Sequence, residues 1–75
     1  MSLVRRLRNA LGFQVSLLVD IQENGGYVLV EAKRYLPYDT VRFISHVVEK
    51  LGGEMVSDRF MRETWRIPIS TEVEG

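Results

Sequence analysis

The 75-residue chain is long enough for one domain, and its ten basic and ten acidic side chains cancel to a formal charge of zero, which excludes a protein that coats duplexes by bulk positive charge. It has no Cys and one His, so disulfides, thiolate metal sites and a multi-His zinc site are excluded. A 45% hydrophobic content suffices for a folded core, and no apolar run approaches the roughly 18 residues of a membrane span; no cofactor, metal or membrane partner is expected.

Ser2 can cap a first helix over Leu3–Leu11, in which Leu3, Leu7 and Leu11 recur every four residues and Arg5, Arg6 and Arg8 take the other side. Gly12 suits the helix end. From Phe13 to Ile21, Phe13, Val15, Leu17, Val19 and Ile21 alternate with polar positions, which predicts a half-buried strand. Asn24-Gly25-Gly26 predicts a tight turn into a second strand from Tyr27 to about Leu36. Val28, Val30 and Ala32 should join the core, leaving Tyr27, Leu29, Glu31, Lys33 and Tyr35 on the opposite face. Pro37 ends this strand and opens a helix, with Val41, Ile44, Val47, Val48 and Leu51 as its buried stripe and Gly52-Gly53 as its stop.

The last third predicts a second hairpin: a short strand over residues 54–57, a tip over 58–62 and a strand over 63–70. Trp65, Ile67 and Ile69 alternate there, leaving Trp65 equally suited to the core and to the open face. Pro68 lacks a ladder donor and predicts an edge, or pairing on one side only. The expectation is thus an α+β domain spanning residues 1–75 with a frayed tail at 71–75, in the order α-β-β-α-β-β. Its four-stranded antiparallel sheet carries two helices on one face.

No catalytic group assembles from these residues, and no enzyme is expected. His46 falls on the polar side of its helix, without the acid and nucleophile that a triad needs. The carboxylates are scattered, and no glycine-rich loop joins a strand to a helix to cradle phosphate. Aromatics interleaved with cations are more informative. Lys33 and Arg34 flank Tyr35, while Arg59, Arg62 and Arg66 surround Phe60 and Trp65. Flat rings stack on unpaired bases and cations track phosphates, so this pattern points to single-stranded nucleic acid. Tyr35, Phe60 and Trp65 are the candidate stacking residues; Lys33, Arg34, Arg59, Arg62 and Arg66 are the candidate phosphate contacts.

The stretch from Tyr27 to Ile69 resembles the ThermoDBP group, single-stranded DNA-binding proteins of thermophilic archaea. The carrying residues are Glu31-Ala32-Lys33-Arg34-Tyr35-Leu36-Pro37, Leu51-Gly52-Gly53-Glu54 and Trp65-Arg66-Ile67-Pro68. The same succession is similar to modules attached to helicases and annealing translocases. The resemblance implies sequence-independent binding of single strands by a homo-oligomer, and carries a role over to Tyr35, Trp65 and Arg66. Several relatives add a C-terminal coiled coil; no heptads occur here, so assembly is expected to differ. RNA is the alternative ligand, because stacking does not distinguish the sugars. Docking of a protein partner or a second copy is the alternative use of the same surface. The Arg-bearing, acid-free first thirteen residues have features of an organelle transit peptide, but they also read as part of the domain, and a cytoplasmic protein is expected.

Overall fold

The computed structural model describes residues 2–56 and 63–69. In chain order they form α1 (Leu3–Leu11), α2 (Phe13–Ser16), β1 (Val19–Asn24), β2 (Tyr27–Ala32), α3 (Tyr38–Lys50), β3 (Glu54–Met55) and β4 (Thr64–Pro68). The four strands make one antiparallel sheet in the order β1-β2-β4-β3, and the fold is α+β.

Pairing follows the apolar alternation. Val19 lies opposite Ala32 and Ile21 opposite Val30, while Val28 lies opposite Ile67 and Val30 opposite Trp65. These side chains share one face of the sheet, since residues directly opposite each other point the same way. Onto that face α1 brings Leu7 and Leu11, and α3 brings Ile44, Val47 and Val48. The helix ends use the expected chemistry. The Arg5 N–H donates to Ser2 Oγ at 3.2 Å, capping α1, and Gly52 leaves α3 with φ at 94°, where a side chain would be strained.

Residues 13–18 depart from the sequence reading. The predicted strand over Phe13–Ile21 begins only at Val19; before it the chain makes the helical turn α2. Gly12, at φ 87°, breaks α1 and lets the chain restart, after which Ser16 N–H donates to the Gly12 carbonyl at 3.0 Å. The apolar run fits both periods. Strict alternation puts Leu18 on the wet side, yet Val15 and Leu18, three residues apart, pack against the core. Phe13 and Leu17 are left outside, 78% and 57% exposed. The second strand also ends earlier than predicted, at Ala32, so Lys33, Arg34 and Tyr35 lie beyond the sheet.

Pro68 pairs with Tyr27 on the β2 side of β4, whereas β3 reaches only Trp65 and Arg66. One-sided pairing, not a place on an edge strand, accommodates the missing donor.

Candidate nucleic-acid interface

The eight residues singled out by the sequence do not form one patch. Arg59, Phe60 and Arg62 lie outside the described residues. Trp65, Arg66 and the Lys33–Tyr35 triplet occupy three different environments.

Trp65 is in the core, with none of its surface exposed. Its position opposite Val30 turns the indole toward α3, where Nε1 donates to Ser45 Oγ at 2.9 Å. This corrects its assignment as a stacking residue, because no ring face is open to a base. Trp65 instead supplies the largest fully buried side chain, with its one donor satisfied. It follows that tryptophan fluorescence reports on folding. Iodide should quench Trp65 weakly in the native protein and strongly after denaturation, and strong native quenching would contradict this placement.

Arg66 points to the opposite face of the sheet, away from the core. Its guanidinium lies 5.8 Å from the Tyr27 ring centroid and 3.8 Å from a Glu54 carboxylate oxygen. The register puts Asp20 opposite Glu31, and Glu54 opposite Arg66, on that same face. Among the described residues, three carboxylates thus accompany one guanidinium, itself engaged, and their field opposes a phosphate backbone. Among the described residues, this face is therefore more acidic than cationic.

The third environment is different. After Ala32 the chain bends, and Leu36, 2% exposed, is driven into the core. This anchor forces its neighbours outward: Lys33 and Arg34 are exposed, and Tyr35 is 83% exposed. Pro37 then opens α3 with extended backbone and no side-chain cap. One turn into α3, the Arg42 guanidinium lies 6.0 Å from the Tyr38 ring centroid, and Tyr38 is itself 71% exposed. The β2–α3 corner thus presents two tyrosine rings, Lys33, Arg34 and Arg42 within ten residues of chain. Asp39 is the one acid in this stretch. Bare first-turn N–H groups and the positive end of the helix dipole add to the attraction for anions.

Arg42 is a candidate that the sequence pattern did not single out. Its signal was the i, i+4 spacing from Tyr38 on a helix whose apolar stripe uses neither residue. A depression on the outer side of α3 is lined by Tyr38, Val41, Arg42, Ser45, His46 and Glu49, which places His46 near this corner, on the exposed side of the helix. Among the described residues, no group of three or more His, Asp or Glu side chains could hold a metal ion, and no helix is long and apolar enough to cross a membrane.

No family model, curated protein or solved structure matches this chain.

Proposed function

We propose that the protein binds single-stranded DNA without sequence preference, through the β2–α3 corner. The observation that carries this reading is an 83% exposed Tyr35 between Lys33–Arg34 and the Tyr38–Arg42 pair. A tyrosine left almost wholly in water contributes little to the core, yet its ring offers a flat apolar surface to a base. Lys33, Arg34 and Arg42 then neutralise phosphates on either side of the stacked base. Arg42 over Tyr38 also supplies a planar guanidinium that stacks. Of these corner residues, the resemblance of residues 31–37 to single-stranded DNA-binding proteins carries a role over to Tyr35 alone. Nothing at this corner selects a base edge or a sugar, so DNA and RNA strands of one sequence are expected to compete; a 2′-hydroxyl contact would separate them. A homo-oligomer remains part of the proposal, tested by light scattering with and without oligonucleotide.

Tyr35→Ala is the direct test. Stacking contributes about 1–3 kcal/mol per base, so the variant should bind a labelled oligothymidylate about 5- to 150-fold more weakly by anisotropy. The melting temperature should stay unchanged, because the ring is exposed. Unchanged affinity would remove the corner as the binding surface.

A further inference from the structure

Charge is distributed unevenly along this neutral chain. Residues 1–19 contain Arg5, Arg6 and Arg8 and no acid, leaving seven basic and ten acidic residues in the remainder. The fold concentrates the first group at the α1–α2 end. Arg8 and Phe13 line one depression together with Asn9, Gly12 and Ser16. Ser16 Oγ donates to the Arg8 carbonyl at 3.5 Å, tying α2 to the end of α1. Arg5 lies one turn before Arg8, on the same side of α1.

Among the described residues this end also carries the most exposed large apolar side chain after Tyr35, the 78% exposed Phe13, with Leu17 one helical turn on at 57%. A large ring held in water beside arginines is not explained by packing. The position of α2 supplies continuity. The backbone N–H of Lys33 donates to the Leu18 carbonyl at 3.0 Å, so the chain two residues past α2 abuts the residue where the β2–α3 corner begins. Ser16 thus ties α2 to the end of α1, and Leu18 ties the chain leaving α2 to the start of the Lys33–Tyr35 triplet.

We propose that the α1–α2 end is a second segment of the single-strand surface. Phe13 stacks a base, Arg5 and Arg8 hold the flanking phosphates, and a strand seated on Tyr35 continues across α2. The charge of this end complements a polyanion, and its contact with Lys33 makes one track of the two segments. The inference rests on the corner being a nucleic-acid site. Among the described residues the other sheet face, with Asp20, Glu31 and Glu54 against Arg66, is less favourable to a polyanion.

The experiment measures binding of the full chain to a labelled oligothymidylate of about 20 nucleotides, longer than the roughly 4–16 nucleotides covered by a single compact module. Wild type, Tyr35→Ala, Phe13→Ala and Arg5→Gln/Arg8→Gln are compared, with far-ultraviolet dichroism verifying that each variant folds. Phe13→Ala should weaken binding about fivefold or more. The double arginine variant should flatten the slope of log affinity against log salt by about 1.4, two phosphate contacts at about 0.7 each. If both bind like wild type while Tyr35→Ala weakens, the corner reading stands and this inference falls. If wild type itself fails to bind at low salt, the corner reading fails and carries this one with it. A parallel arm uses phosphatidylserine-containing vesicles. Phe13-dependent sedimentation with vesicles, combined with unchanged oligonucleotide affinity of Phe13→Ala, would assign the end to a lipid surface and overturn the proposal.

Discussion

Trp65→Ala should cost about 3–5 kcal/mol, the range for removing a large aromatic from a packed core. The indole is fully buried in a core that also includes Val28, Val30, Ile44, Val48 and Ile67, and its removal leaves Ser45 Oγ without its indole partner. At roughly 0.05–0.15 kcal/mol per residue, a domain of this size has about 4–11 kcal/mol to lose. The variant should therefore melt at least about 12 °C below wild type, since each kcal/mol shifts a small domain by about 4–8 °C. Trp65→Phe keeps most of the ring volume and gives up the hydrogen bond to a half-exposed serine, so its loss should be nearer 1–2 kcal/mol. Thermal denaturation followed by circular dichroism checks both. Trp65→Ala melting within about 3 °C of wild type would mean that the side chain is not in the core. That outcome would reopen its role at a surface.

The second large effect belongs to Gly53→Ala. A Cβ at this position would meet the Arg66 carbonyl oxygen, and would lie 2.6 Å from Ile67 Cγ1 and 2.8 Å from Val48 Cγ1. The carbonyl belongs to the main chain of β4, which pairs on both sides at Arg66, so it cannot retreat without disturbing the ladder. Overpacking of this kind costs about 1–3 kcal/mol, and a backbone obstacle puts Gly53 at or above the upper end. Gly26 provides the contrast: a Cβ there meets nothing within 4 Å and φ is not in the left-handed region, so Gly26→Ala should be neutral or gain up to about 1 kcal/mol. Urea midpoints measure the pair. Equal midpoints for the two variants would show that β4 does not run so close beneath the end of α3.

Much of the scaffold was legible because local and global signals agreed. Helix α3 has an apolar stripe at helical spacing between Pro37 and Gly52, and the β1–β2 turn is written in Asn24-Gly25-Gly26. Strand β2 shows its buried face in Val28, Val30 and Ala32. The turn of α2 was not legible, because five apolar residues between Phe13 and Val19 satisfy both a period of two and a spacing of three; what decided it was the break at Gly12. Gly53 read as part of a helix stop, whereas its constraint comes from a strand more than ten residues away. The acidic character of the open sheet was hidden for the same reason. Asp20, Glu31 and Glu54 are far apart in the chain, and only the register brings them onto one face. The corner itself was half visible, as Lys33, Arg34 and Tyr35. Its other half, Tyr38 with Arg42, was marked only by the i, i+4 spacing on α3, and it is Leu36 turning inward that leaves both tyrosines outside.

Whether a cationic and aromatic corner grips a single strand is decided by the salt dependence of oligothymidylate binding. With Lys33, Arg34 and Arg42 each neutralising one phosphate, log affinity should fall against log salt with a slope of at least about −2, at about −0.7 per contact. Lys33→Gln/Arg34→Gln should flatten that slope by about 1.4 with no loss of thermal stability. Absence of binding at low salt, or a slope indifferent to both substitutions, would contradict the account.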